Sequence, residues 1–318
     1  MKLLGIAAAA VTTLGVLDLG LGAVFFKIAL GSKKREDPKV PCKDSLFERN
    51  ADNINLINGY NWFDNTAHEE ILIPSREKGV NLHGHFFEGT SKNLWAIVIH
   101  GWTNINREMS SYAMEYHKKG YNVIIPDLRG HGNSETSYVS MGWLDRLDIV
   151  TWINYIVSNN PDAQIVLHGV SMGSATTMMT TGENLPANVV CAVSDCGFTS
   201  VYDIFEDQAI RKYKIPPKLV MPPASLVNKL VNGFTFREAS SVEQLKKSKT
   251  PTLFLHGDKD DFVLPENLDK VYAACAAEKE KYVIKGAEHA VSSHWFHEEY
   301  WDVVDRFLAK YVKTEETV

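Results

Sequence analysis

From about Ile71 onward, short apolar runs alternate with longer amphipathic stretches. Ile71–Ile73, Leu82–Phe87, Leu94–Ile99, Tyr121–Ile125, Gln164–Leu167, Val189–Val193, Thr252–Leu255 and Lys281–Ile284 have the length and composition of strands. Arg76-Glu77-Lys78-Gly79 joins the first two as a hairpin turn, with glycine where a positive φ is needed. Helix-length segments separate the later runs: Arg107–Lys119, Met141–Val157, Met172–Thr181, Glu266–Ala277 and Val291–Val312. In the last of these, Trp301, Val304, Leu308 and Tyr311 recur at three- and four-residue spacing, one apolar face for packing on a sheet. The alternation predicts βαβ units and an α/β fold, a mostly parallel eight-stranded sheet flanked by helices.

The rhythm breaks in two places. Between Phe198 and Thr250 the chain carries Pro216-Pro217, Pro222-Pro223 and short helical patterns without a strand. An insertion at about residues 199–249 would lie as a cap over the carboxyl edge of the sheet, where ligands bind in such folds. At the other end, Leu3 to Phe26 is a run of 24 residues with one charge, Asp18, followed by Lys27 and the cluster Lys33, Lys34, Arg35. As a helix it is long enough to cross a hydrocarbon core of about 30 Å. It also outlasts the apolar stretch of a cleaved signal. Residues 1–31 are therefore expected to form an uncleaved, single-pass membrane anchor, with a removed signal segment as the alternative. Counted by lysine and arginine alone, the downstream flank stays inside; a short tail with Lys2 can instead stay inside and export the rest. The second arrangement, with the body outside the cytoplasm, is the expectation. Residues 32–66 follow as a linker and lead-in segment, polar from Pro38 to Asn53, and the body runs from 67 to 318.

Composition narrows the class. The chain has 318 residues, 45% hydrophobic and 23% charged, which suits a globular protein with a sizeable core. The net charge is −6, and residues 1–38 hold five basic and three acidic groups, which leaves −8 on the remainder. A body that acidic excludes nucleic acid as a partner, because phosphate contacts need surplus lysine and arginine. The four cysteines, Cys42, Cys191, Cys196 and Cys275, form no C-x-x-C pair. Cys191 and Cys196 sit five apart on a strand, on opposite faces, and are not expected to bridge.

Candidate chemistry starts at Gly169-Val170-Ser171-Met172-Gly173, between a strand and a helical run. G-x-S-x-G in that setting permits a tight, strained turn that projects the serine Oγ from the sheet edge. The helix starting there aims N–H groups at charge developing beside the serine. A serine needs a base, and the base needs a carboxylate to fix its tautomer. Asp260 and then His289 follow in the chain order this arrangement demands, each in a loop after a strand. Asp258 and Asp261 are neighbours, so Asp260 ranks first and Asp258 second. A second oxyanion donor is expected from Trp102, in His100-Gly101-Trp102-Thr103, with its N–H opposite that of Met172. His100 reads as structural, hydrogen-bonding the loop.

Together these residues resemble the α/β-hydrolase superfamily, from about residue 67 to the end. Asp127-Leu128-Arg129-Gly130-His131-Gly132-Asn133-Ser134 resembles that family's D-x-R-G-x-G-x-S stretch, and Gly142-Trp143 with Asp148 the start of its next helix. Within the superfamily the chain is similar to bacterial hydrolases with an N-terminal membrane segment, near the serine aminopeptidase-like and Bem46-like branches. The resemblance implies an α/β-hydrolase fold with a short helical cap. It implies that Ser171 carries the acyl group, His289 is base and then acid, and Asp260 orients His289. No metal or organic cofactor is implied. Val170 stands where many lipases and cinnamoyl esterases have histidine, and no H-G-G-G run is present.

The expected activity is that of a membrane-anchored serine esterase cleaving ester or thioester bonds of small to medium acyl substrates through an acyl-enzyme. The alternative is an aminopeptidase or amidase of the same fold, with Glu206 and Asp207 as a possible amine-binding pair. A non-catalytic binding protein on this frame ranks below both, since every triad residue is present.

Overall fold

The structure is a computed structural model that describes residues 20, 22–32 and 50–313. All eight expected strands form: β1 (Glu69–Pro74), β2 (Asn81–Phe87), β3 (Leu94–Ile99), β4 (Asn122–Pro126), β5 (Gln164–Val170), β6 (Val189–Asp195), β7 (Thr252–Gly257) and β8 (Lys279–Ile284). They make one sheet in the order β1-β2-β4-β3-β5-β6-β7-β8. β1 and β2 are antiparallel to each other and β2 to β4; β3 to β8 run parallel. The β1–β2 turn has Gly79 at φ +80°, as expected.

Alternation along the strands divides the core in two. Ile97 and Ile99 of β3 face Trp152, Ile153, Met178 and Met179, from α4 (Asp145–Asn159) and α5 (Met172–Thr181). Ala96 and Val98 face the other way, towards Tyr112 and Tyr116 of α3 (Ser110–Lys118) and Trp301 and Phe307 near the carboxyl end. Helices thus cover both faces of the parallel strands, as their two-sided apolar character requires.

Two boundaries differ from expectation. The lead-in segment contains α2 (Ile54–Asn65), whose Asn53 cap accepts from the Asn55 and Leu56 amides. α2 lies so close to α3 that a Cβ on Gly59 would stand 2.5 Å from the Ser111 nitrogen. The body therefore begins near Asn53 rather than at residue 67. The expected final helix is broken at Phe296 (φ −119°, ψ 42°) into Ser292–Trp295 and His297–Leu308.

The insertion is helical: α6 (Val201–Arg211), α7 (Pro217–Asn232) and α8 (Ser241–Leu245). α7 starts on Pro217, where the missing N–H is harmless, carries Pro222 and Pro223 inside, and ends at Gly233 with φ +80°.

Residues 1–19, 21 and Cys42 lie outside the described residues, and most of the expected anchor lies with them. Among the described residues no helix is long and apolar enough to cross a membrane. The end of the apolar run departs from the expected anchor. Residues 22–30 form a helix, α1, laid against the cap and body. Gly22 abuts the backbone at Pro223 and Ala224, Phe25 meets Phe205 edge-on at 5.7 Å, and Phe26 contacts Tyr138 at 5.2 Å. The chain then pairs Leu30 O with Val139 N at 2.8 Å. Gly22, Phe26, Ala29 and Leu30, spaced for one helical face, are buried.

Candidate active site

Ser171 sits on the turn between β5 and α5 with φ 57° and ψ −115°, a region L-residues rarely adopt. The turn is tight enough that a Cβ on Gly169 would strike the Gly173 carbonyl, and one on Gly173 the Ile99 carbonyl. Four of the six described non-glycine residues with positive φ are Thr103, Ser171, Cys196 and Ala290. Each is at or beside the carboxyl end of a parallel strand or next to a triad residue, so backbone strain concentrates there.

The structure brings the three sequence-predicted residues together. Ser171 Oγ lies 2.8 Å from His289 Nε2, and His289 Nδ1 lies 2.7 Å from Asp260 Oδ2. Asp260 Oδ1 accepts the Phe262 and Val263 amides at 2.9 and 2.8 Å, which fixes the carboxylate plane. Asp258 is elsewhere: it accepts the Gly286 amide at 2.6 Å and closes the loop that carries His289. Burial alone would raise the Asp260 carboxyl, but the imidazoles of His289 and His256 hold it well below the ordinary carboxylate value. All three side chains are buried. The Phe262 ring packs tilted against the His289 ring, with centroids 5.0 Å apart.

Trp102 and Met172 both line the cavity that opens on Ser171. Gly101 approaches so closely that a Cβ there would be 3.3 Å from Ser171 Cβ. The Trp102 indole donates to Ala29 O at 3.0 Å, tying the loop to α1. His100 is structural as expected: its ring contacts Gly101 O at 2.8 Å and accepts the Leu128 amide at 2.9 Å. In the D-x-R-G-x-G-x-S stretch, Asp127 accepts the Asn106 and Asn133 amides, and Arg129 pairs with Asp148 and Glu77.

Two spaces meet at Ser171. One is a cavity of about 130 Å³ walled by apolar side chains, including Phe25, Ile28, Phe198, Phe205 and Ile215. The other, about 440 Å³, is polar and lined by Lys212, Lys259, Asp261, Glu288 and His289.

The profile of the prolyl oligopeptidase family matches residues 107–315, a span that encloses all three triad residues. The chain belongs to the prolyl oligopeptidase family. It is an α/β-hydrolase of Bem46-like type. It is 25% identical over 291 residues to the YqkD protein of Bacillus subtilis, covering 91% of this chain and 92% of that one. It is also 25% identical over 225 residues to the Bem46 protein of Schizosaccharomyces pombe, 69% of each. Among solved structures, the esterase Pf2001 of Pyrococcus furiosus superposes with a TM-score of 0.63 at 24% identity, covering 77% of this chain and 93% of that one.

Several features of this prolyl oligopeptidase family member were not legible in the sequence. His256 Nε2 lies 3.2 Å from Asp260 Oδ2 and 2.8 Å from Val263 O, bracing the acid from behind. Asp195, at the end of β6, is fully buried, and neither carboxylate oxygen has a hydrogen-bond partner among the described residues. The nearby Tyr300 hydroxyl, 2.8 Å from His168 Nε2, favours the ionised Asp195 carboxylate but does not offset burial. Burial pushes the Asp195 carboxyl up to about 7. A raised folded-state value gives stability that is present below the ordinary carboxylate range and lost as pH rises to about 7. The ionised form thus costs on the order of 4 kcal/mol above that pH. Asp195→Asn is expected to melt several degrees above the parent at pH 8 and by less than half that margin at pH 5. Melting curves at the two pH values check this; an equal gap at both would refute it.

Among the described residues, two groups of side chains have metal-ligating spacing. Cys196, Asp260 and His289 offer atoms within 4.8 Å of one another, as do Glu70, His83 and His85. The first does not fit an ion: Asp260 and His289 are bonded to each other, and burial keeps the Cys196 thiol protonated by raising it well above its ordinary value. The second lies on β1 and β2, three strands or more from Ser171, roughly 14 Å by strand spacing. The acidic pair considered for amine binding lines neither space at Ser171. Asp207 is held bidentate by Arg211 at 2.8 and 2.7 Å, and Glu206 accepts from Tyr202.

Proposed function

We propose that the chain is a serine esterase that cleaves carboxylic esters, or thioesters, of small to medium acyl groups through an acyl-enzyme. His289 Nε2 takes the Ser171 proton as Oγ attacks the carbonyl carbon. The N–H groups of Met172 and Trp102 receive the oxyanion. His289 then protonates the departing alcohol, and water, deprotonated by the same nitrogen, releases the acid and restores Ser171. Asp260 holds the imidazole by its Nδ1–H and offsets the positive charge that forms.

The observation that carries the ester reading is the shape of the two spaces at Ser171. The acyl side is apolar and close in size to the engineered cavity of roughly 150 Å³ that admits benzene. It therefore suits a hydrocarbon acyl group of about six carbons and offers an aminoacyl group no carboxylate for its amine. The polar space suits an alcohol or thiol leaving group in contact with water.

Matched substrates test this: p-nitrophenyl hexanoate against aminoacyl p-nitroanilides, compared by kcat/KM. The ester is expected to be strongly preferred. Anilides turned over at comparable kcat/KM would overturn the ester reading in favour of a peptidase, consistent with the family's name.

A further inference from the structure

The outer side of α7 and the outer side of α1 are apolar, exposed and adjacent. On α7, Leu219, Leu226 and Leu230 recur at seven- and four-residue spacing, so they form one stripe; they are 55%, 50% and 76% exposed. The opposite positions, Val220, Met221, Ala224 and Asn228, are buried. α1 crosses α7 where Gly22 meets Pro223 and Ala224, and presents Val24 and Ile28 outward, 60% and 57% exposed. A helix that is apolar on both its buried and exposed sides is not finished by water. A stripe of large aliphatic side chains on a monomer's surface marks a place of contact.

Charge and chain continuity say what the contact is. From Gln208 to Asn232 there are five basic residues and no acidic one, in a chain of net charge −6. Arg211 and Lys229 are paired with Asp207 and Glu238; Lys212, Lys214 and Lys218 are exposed and have no carboxylate within ion-pair distance among the described residues. Exposed leucines beside lysines fit a lipid surface with anionic headgroups. The sequence leading into α1 at this face, Leu3 to Leu19, carries only Asp18 as a charge. The mouth of the apolar cavity lies at the same edge, since Ile28, Tyr213 and Ile215 line it and are exposed.

We propose that the face made by α7 and the outer side of α1 docks on a lipid bilayer bearing anionic headgroups, and that the site draws its acyl ester from that lipid phase. The docking stands on the geometry of this face. The ester as cargo rests on the proposed function.

The test uses the full chain reconstituted in phosphatidylcholine vesicles containing phosphatidylglycerol. A fluorophore on Leu226→Cys, in a Cys42→Ser background, is compared with one on the exposed Asp302→Cys; Cys191, Cys196 and Cys275 are buried. The Leu226 label is expected to be quenched by spin-labelled lipid and protected from iodide, and the Asp302 label the reverse. A Leu226 label quenched by iodide as strongly as the Asp302 label would overturn the docking. So would one shielded from both quenchers, which would mean that a second copy or another part of the chain covers the stripe. Equal lipid quenching in vesicles without phosphatidylglycerol would overturn the role of the lysines. For the cargo, the Leu226→Glu, Leu230→Glu variant is expected to lose at least about tenfold on a vesicle-embedded acyl ester and to keep its rate on soluble p-nitrophenyl butyrate. Equal loss on both, or on neither, would overturn lipid-phase supply. Failure of the parent on the soluble ester would sink the esterase reading alone and leave the quenching result standing.

Discussion

Ser171→Ala is expected to lower kcat on a short p-nitrophenyl ester by at least roughly 10⁴-fold, because Ser171 carries the hydroxyl bonded to His289 Nε2. Its Oγ lies 2.8 Å from His289 Nε2 and beside the apolar cavity that would hold the acyl group. The substitution removes one oxygen and leaves the turn intact, since that turn is set by the close contacts at Gly169 and Gly173. The melting temperature should therefore stay within a few degrees of the parent. Steady-state rates, a thermal melt and mass-spectrometric mapping of a fluorophosphonate adduct check the set. Turnover retained in a folded Ser171→Ala protein, or labelling at another serine, would remove Ser171 from its role.

Asp260→Asn should lower kcat by about 10⁴-fold, the size of loss found when a triad acid becomes an amide and the histidine adopts the wrong tautomer. Asp258→Asn should stay within a few-fold, because Asp258 only accepts the Gly286 amide in the loop that carries His289. The pair of variants separates the two carboxylates that the sequence left ranked but unresolved. Asp260 also bears on stability, with a sign opposite to that of Asp195. Its carboxyl is held low by His289 and His256, so its contribution is present above the ordinary carboxylate range and lost as pH falls from that range towards the lowered folded value. If Asp258→Asn proved as damaging as Asp260→Asn, with both proteins folded, the acid would have to be reassigned.

Much of the site was legible because it is built from local rules. G-x-S-x-G needs glycines wherever the serine turn is to be tight, and the strand before it and helix after it are visible as changes of period. Asp260 and His289 were found by chain order and by their place after β7 and β8. Parallel strands put all their carboxyl ends on one edge, so residues far apart in sequence converge there. His256 and Asp195 gave no such signal. A histidine and an aspartate at strand ends look ordinary in sequence, and only the packing shows one braced against Asp260 and the other fully buried.

The amino-terminal run shows the same limit from the other direction. Its hydropathy suits a lipid environment, and hydropathy is blind to which apolar surface a segment meets. Phe25 and Ile28 wall the apolar cavity at Ser171, and Ala29 O holds the Trp102 indole, because α1 lies against α6 and α7.

By itself the sequence determined the α/β class, the parallel sheet, the tight turn at Ser171 and the chain order of Ser171, Asp260 and His289, since each follows from periodicity, chain order or steric limits within a few residues. The tertiary structure decided which aspartate faces His289, how large the apolar cavity at Ser171 is, and that the cavity is walled in part by a helix more than 140 residues from the serine in the chain. Those are matters of distance between segments remote in sequence, and they are set by packing of the whole chain rather than by any local pattern.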